Sequence, residues 1–413
     1  MNRLLVVKET RQDYKNKKLR RISQSMHLAY VTSYNVLDHS DWPESLVGLR
    51  GAGYHLAQHL EKQSVQLDYI GPLKQEYRFL NRFKRKFYRK FLKKVYACWA
   101  DPAVIRDYAN QVSRKLSSST ANIVLCPENA QTIAYLECKQ PIVLWTDAPQ
   151  TVLIDFYSIF SNFCNESKRH VYALEKAALD RSKLVIFLSD WAAENAIRIY
   201  GIKPSKVRVV PWGANIECNR TYEDINNIVA SKDTRSCRLL FIGVDWLRKG
   251  GDTALEVANE LNKIGLKTEL IVVGSEPPTS ENFPNYVKFL GFINKYTTEG
   301  IKQINELFCT SHFLIVPSRA ETYGHVFCEA NSFGLPSLAT NVGGIPTIIK
   351  DGVNGKTFSV NSRVEEYSTY IADLMSNYSE YKRLAHSSFH EYQSRLNWVV
   401  AAKTAKQLIM DLV

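Results

Sequence analysis

Short runs rich in Val, Ile and Leu recur through the first half of the chain, at residues 28–32, 65–71, 122–126, 142–146, 184–189 and 207–212. Longer stretches with apolar positions at helical spacing separate them. After a polar interval around 218–236 the pattern restarts, at 239–243, 270–274, 287–290, 313–317 and 337–340. A continuous apolar run suits a strand buried on both faces, and strands alternating with helices predict parallel sheets covered on both sides. Two such series predict two doubly wound α/β domains of Rossmann-like type, with ligands in the cleft facing the carboxyl ends of the strands. The division expected is a basic extension over 1–25, a first domain over 26–216 and a second domain over 237–390. Residues 217–236 (ECNRTYEDINNIVASKDTRS) read as a polar interdomain linker, and 391–413 as a C-terminal helix returning to the first domain.

Composition narrows the classes. The chain has 413 residues, 45% apolar and 23% charged, as a soluble multi-domain protein would. Its longest apolar windows fall short of the roughly 20 residues a membrane-spanning helix needs. The run Leu4 to Val7 leads directly into Lys8, Arg11, Lys15 and Lys17, unlike a signal-peptide core. Eight cysteines without a C-x-x-C pair suggest neither a zinc site nor a disulfide framework, so reduced thiols in a cytoplasm are expected. D-x-D, Walker and H-E-x-x-H motifs are absent, and no metal or cofactor is expected.

The formal charge of +12 leaves nucleic acid, anionic lipid and phosphorylated small molecules open as partners. It is concentrated in two places. Residues 74–94 hold ten Lys or Arg against Glu76, a net of +9, and residues 1–25 carry +6, so the remainder is mildly acidic. Within the first stretch Phe79, Leu80, Phe83, Phe87, Phe91 and Leu92 recur at spacings that put them along one face of a helix. A basic amphipathic segment over 74–95 is the pattern of an anionic membrane surface contact. The alternative is that the aromatic face packs on its own domain. Nucleic-acid binding is the least favoured reading, and no nucleic-acid partner is expected.

Candidate chemistry lies where strands end. Residues 316–344 read VPSRAETYGHVFCEANSFGLPSLATNVGG: a strand, a loop with Glu321 and Gly324, then a helix carrying Glu329. Two carboxylates so placed can address one ligand at the helix N-terminus, where the N–H groups of Gly324, His325 and Val326 would meet an anion. A carboxylate is also a natural acceptor for the vicinal hydroxyls of a sugar. Residues 239–251 read LLFIGVDWLRKGG, a strand ending at Gly243 and a loop whose Arg248 and Lys249 could neutralise a departing diphosphate. Taken alone, either element is common: a Glu near a helix N-terminus also serves the dipole, and an isolated R-K-G is usually a solvated loop.

In this order, E-T-Y-G-H, F-C-E-A, G-L-P and V-G-G-I-P, the sequence resembles the family 4 retaining glycosyltransferases of GT-B fold. The resemblance runs over about residues 26–400 and includes VLWTDAPQTVL (143–153), FLSDWAAENAIRIYGI (187–202) and VRVVPWGANIE (207–217). It implies two Rossmann-like domains facing a cleft, a nucleotide-sugar donor in the second domain and an acceptor in the first. Glu321 would contact the transferred sugar, Gly324 and His325 would lie at the phosphates, and Glu329 would hold the ribose. Gly243, Phe292, Tyr323 and Val326 complete the implied donor site. The family often has an Arg after the glycine at position 243, where this chain has Val244, so Arg248 would stand in beside Lys249. On the acceptor side the family commonly has a His after the strand 142–145. Here Asp147 is the candidate for orienting or deprotonating the acceptor hydroxyl, or else it is a helix N-cap. The long loop 33–60, with a helix expected from near Gly53, would shape the acceptor pocket. The function implied is retaining transfer of a hexose-type sugar to a glycan, lipid or small-molecule hydroxyl. With Lys and Arg to meet the diphosphate no metal is expected, and the basic segment over 74–95 adds the expectation of a cytoplasmic protein peripheral to the inner face of a membrane. A nucleotide-sugar epimerase of the same fold, or a non-catalytic phosphosugar or nucleic-acid binding protein, are the alternatives.

Overall fold

The computed structural model describes residues 26–40, 42–75, 79–276 and 283–412, except the side chain of Ser45. The basic extension 1–25 lies outside the described residues. The first domain contains strands β1 (His27–Val31), β2 (Gln66–Ile70), β3 (Ile123–Cys126), β4 (Ile142–Thr146), β5 (Leu184–Phe187) and β6 (Val207–Val209). Its helices are α1 (Val47–Glu61), α2 (Phe79–Phe91), α3 (Pro102–Leu116), α4 (Gln150–Leu153), α5 (Asn165–Arg181) and α6 (Asp190–Tyr200). The second domain contains β7 (Cys237–Ile242), β8 (Thr268–Val273), β9 (Val287–Phe289), β10 (Phe313–Val316), β11 (Ser337–Thr340) and β12 (Gly355–Phe358). Its helices are α7 (Tyr222–Ala230), α8 (Trp246–Lys249), α9 (Gly251–Lys263), α10 (Thr298–Thr310), α11 (His325–Asn331), α12 (Ile345–Ile348), α13 (Val364–Ser376) and α14 (Tyr378–Arg395), followed by α15 (Trp398–Met410).

Each domain has one six-stranded parallel sheet, ordered β2-β1-β3-β4-β5-β6 in the first and β12-β11-β10-β7-β8-β9 in the second. Central strands such as β3, β4, β5 and β10 are buried along their whole length, as their unbroken apolar runs require. The order reverses between β7 and β10 in the second sheet and between β1 and β3 in the first. A parallel sheet opens a crevice at such a point, because the crossovers on either side run to opposite faces.

Three expectations need correction. The segment 217–236 is no linker: it carries α7, started by a capping box in which Thr221 and Asp224 exchange side-chain bonds. Ile225 and Val229, four residues apart, put that helix into the second domain's core. The helix expected from near Gly53 begins at Val47, after a 3-10 turn over Glu44–Leu46. The strand β12 went unread, because its four residues, GKTF, include only one fully buried apolar side chain. At the C-terminus α14 continues to Arg395, and α15 crosses to α1, where Lys406 Nζ donates to the Gln63 carbonyl at 2.5 Å. Trp398, at the start of α15, stacks near Trp212 and His55 at centroid distances of 5.9 and 6.3 Å.

Candidate functional site

The second sheet's crevice is built from the segments that follow β7 and β10. After β7 the chain does not make an open loop: Asp245 caps the short helix α8 by accepting the Arg248 N–H at 3.0 Å. Arg248 and Lys249 therefore leave a fixed helical turn. Gly250 ends it at φ +77°, and a Cβ there would lie 2.1 Å from the Pro317 carbonyl oxygen. That contact ties the turn to the segment after β10. Gly343, at φ +54°, abuts the same segment from the V-G-G loop, where a Cβ would sit 1.9 Å from the Glu321 carbonyl oxygen.

Between these clamps Glu321 is buried, and Lys249 Nζ forms an ion pair with its carboxylate. Arg248 Nη1 lies 3.8 Å from the same oxygen and donates to the Ala320 carbonyl at 3.1 Å. Burial alone would raise the Glu321 carboxyl, but the two cations hold it below its ordinary value. Arg248 and Lys249 therefore both lie against Glu321, while Val244 is exposed.

Asp147 reaches this centre from the other domain. Its Oδ2 accepts from Thr322 Oγ1 at 3.2 Å, one residue from Glu321, and its Oδ1 accepts from the Ala148 N–H at 2.8 Å. It caps no helix, since α4 starts after Pro149. Burial raises the Asp147 carboxyl above its ordinary value. Tyr157 joins the two domains again: its hydroxyl accepts from the Thr322 N–H at 2.9 Å, and its ring lies 4.8 Å beneath the Arg248 guanidinium.

The rest of the implied donor site lies on and around α11. Gly324 precedes the helix at φ +95° and Val326 sits in its first turn. His325 is half-buried by its own surface but desolvated by its neighbours, stacks on Trp212 at 5.5 Å, and has its value pushed down to about 4 by that desolvation. The Tyr323 hydroxyl is bound to the Trp212 carbonyl, so this ring pins the interdomain segment against the helix. Glu329 is buried and ion-paired with Lys295. Phe292 is partly buried in the same loop between β9 and α10. Gly243 closes β7, where a Cβ would meet the Lys249 Cγ at 2.8 Å.

Sequence reasoning missed Lys295, Tyr157 and Thr322. Lys295 occurs in FINKY without a distinctive spacing, and only the fold brings it 34 positions along the chain to Glu329. Among the described residues, no group of three or more His, Cys, Asp or Glu side chains could hold a metal ion. All eight cysteines are free thiols.

Two Rossmann-like domains whose cleft meets at a charged switch point define the GT-B fold of glycosyltransferases. Within that class the second domain is more specific: residues 224–390 match the family described as Glycosyl transferases group 1. A D-inositol 3-phosphate glycosyltransferase of Thermobifida fusca is 26% identical over 238 residues, 54% of this chain and 54% of the relative. The chain thus spans about half the length of the curated relatives it matches. Among solved structures, a sucrose-phosphate synthase of Thermosynechococcus elongatus superposes with a TM-score of 0.64 at 15% identity, over 94% of this chain and 99% of that one. HepE of Anabaena, solved in complex with UDP-glucose, gives 0.59 at 15% identity, over 94% and 100%. Among the described residues no helix is long and apolar enough to cross a membrane.

Proposed function

We propose that the protein is a glycosyltransferase that moves a hexose-type sugar from a nucleoside-diphosphate donor to an acceptor hydroxyl, with retention at the anomeric carbon. The observation that carries this reading is the convergence of Lys249, Arg248 and Glu321 at the second sheet's switch point, with Asp147 reaching them through Thr322. In this scheme the acceptor oxygen bonds to the anomeric carbon as the bond from that carbon to the phosphate oxygen breaks. The bonding pair leaves with the diphosphate. Its growing negative charge is met by Lys249 and Arg248, which stabilise the transition state more than the bound donor. The acceptor proton passes to the departing phosphate oxygen, and Asp147 orients the hydroxyl. Glu329 accepts from the ribose hydroxyls, and backbone N–H groups from Gly324 to Val326 face the phosphates.

The same reading assigns the diphosphate charge to protein cations, so a chelator is expected to leave transfer unchanged. The relative solved with UDP-glucose makes that donor the first to test. The acceptor is a glycan, a lipid-linked molecule or a small molecule, and the place of work is the cytoplasmic face of a membrane.

The test is incubation with radiolabelled nucleotide sugars, beginning with UDP-glucose, with and without a lipid extract. Acceptor-dependent release of nucleoside diphosphate supports the reading, and interconversion of the donor sugar without release would mark an epimerase instead. Lys249→Ala and Glu321→Ala should both lose transfer; full activity in both would overturn the site.

A further inference from the structure

Helix α2 carries six cations and no acid in thirteen residues. It is held to the first domain along one narrow edge. Lys84 Nζ lies 2.6 Å from Glu166 Oε1, the Tyr88 hydroxyl donates to Glu166 Oε2 at 2.8 Å, and the Tyr88 ring stacks on Tyr96 at 5.6 Å. Asn81 is its buried residue, with its carbonyl accepting from Cys98 Sγ at 3.6 Å. At about 100° per residue these three positions form one side of the helix, and Phe79, Leu80, Phe83, Phe87 and Phe91 fill an arc of about 120° beside it. The aromatic face therefore does not pack on its own domain, which removes one of the two structural readings of this segment. All five residues are exposed, from 42% at Phe87 to 85% at Phe79, and Leu92 and Val95, just after the helix, are exposed as well.

Single exposed apolar residues are ordinary, but a contiguous row of this kind marks an interaction surface. Its border identifies the occupant. Lys86 borders the arc and Lys90 lies just within its edge, with Arg82, Arg89 and Arg85 further round on the same side. A second copy would set like charges against these. A surface of anionic headgroups satisfies both features together, because rings enter the headgroup boundary while Lys and Arg meet lipid phosphates.

The surface adjoins the cleft. Asn162 donates to the Lys93 carbonyl and accepts from Lys94 Nζ, both at 2.8 Å, and its own carbonyl accepts the Val95 N–H at 3.0 Å. The turn stitched in this way to the end of α2 carries Ile159, 76% exposed, and Tyr157, which lies beneath Arg248.

We propose that α2, with the Ile159 turn, is a docking surface for an anionic bilayer that sets the mouth of the cleft beside the membrane. The docking itself is independent of the transfer reading; only the purpose of placing the cleft there rests on it. Co-sedimentation of the full chain with vesicles of phosphatidylglycerol and phosphatidylcholine, and with phosphatidylcholine alone, tests it. Binding is expected to the anionic vesicles, about tenfold or more weaker to the neutral ones, and reduced by salt. Phe83→Ser/Phe87→Ser/Phe91→Ser and Arg85→Gln/Lys86→Gln/Arg89→Gln/Lys90→Gln should each weaken binding about tenfold or more, and Ile159→Ser about two- to threefold. Lys84 is left in place because it anchors the helix through Glu166. All variants should keep the wild-type melting temperature and UDP affinity by calorimetry, since none of these residues lies in the cleft. Wild-type protein that stays in the supernatant would overturn the proposal, as would variants that bind vesicles unchanged. So would an α2-dependent self-association or oligonucleotide binding without vesicle binding. A wild type that docks on vesicles but binds no nucleoside diphosphate sinks the transfer reading and leaves the docking surface standing.

Discussion

At the crevice of the second sheet, four charged side chains (Arg248, Lys249, Glu321 and, from across the cleft, Asp147) meet around one pair of loops. At the crevice of the first sheet the chemistry is of another kind. There Glu128 accepts from the Ser33 N–H and hydroxyl at 2.8 and 2.5 Å, closing the switch point internally. The long loop beyond it turns to rings: His39 stacks on Tyr296 of the second domain at 4.7 Å, with Trp42 edge-on at 5.4 Å. The second sheet's crevice is thus organised by paired charges and the first sheet's by aromatic shape. Paired buried charges fail steeply when one partner is removed, because the other is left uncompensated. Ring packing deforms more gradually.

The steepest effect should come from Lys249. Lys249→Ala is expected to lower the transfer rate by about 10²–10³, the range found for removing one preorganised transition-state donor. It also tests the pair's part in stability. Glu321 is held below its ordinary value, so the pair stabilises the fold above the ordinary carboxylate range, and that contribution is lost as pH falls through the lowered value. The difference in melting temperature between wild type and variant should therefore be largest at neutral pH and close on acidification. A constant difference would mean that the pair is not what the substitution removed.

Asp147→Asn comes next, with a loss of about 10² in kcat expected from the proposed role of the carboxylate in orienting the acceptor hydroxyl. Burial raises the Asp147 carboxyl, and the proposed orienting role needs the ionised, hydrogen-bond-accepting form. Wild-type activity should fall on the acid side as pH drops through that raised value, and the variant should lack this limb. An unchanged profile would return Asp147 to a purely interdomain contact with Thr322.

Lys295→Ala should be milder, raising the donor Kd about tenfold, as expected for loss of one charge-assisted partner that positions Glu329. Titration with UDP and with its 2′- and 3′-deoxy forms would show whether the variant also loses discrimination at the ribose. Smallest is Gly51→Ala, which sets a Cβ 1.8 Å from the Tyr296 hydroxyl. The ring must move, so acceptor KM should shift a few-fold while donor Kd stays put, at a stability cost of about 1 kcal/mol. If Gly51→Ala proved as damaging to catalysis as Lys249→Ala, the contrast between the two crevices would collapse.

Much of the site was legible because its parts are local. Glu321, Gly324 and Glu329 lie within nine consecutive residues, between a buried strand and a short helix, and Arg248–Gly250 follow the strand that neighbours β10. What could not be read were contacts whose partners are far apart. Lys295 meets Glu329, and Tyr157 meets Thr322 and Arg248, only because two sheets and an interdomain cleft bring them together. The segment 217–236 misled for a different reason. Its few apolar residues are diluted by polar ones, yet Ile225 and Val229 at helical spacing behind a capping box were enough to bury α7.

The sequence by itself determined the two parallel α/β domains, because unbroken Val, Ile and Leu runs can be satisfied only by strands covered on both faces. It also located the cations and carboxylates at strand ends, where such sheets open. The tertiary structure decided which charges pair, since those pairings join residues from different segments, and it brought Asp147 across the cleft to a hydrogen bond from Thr322. It also decided that the aromatic face of α2 is left uncovered. Periodicity shows that a helix has an apolar face, but whether that face is buried depends on which edge docks, and here Asn81, Lys84 and Tyr88 provide the edge.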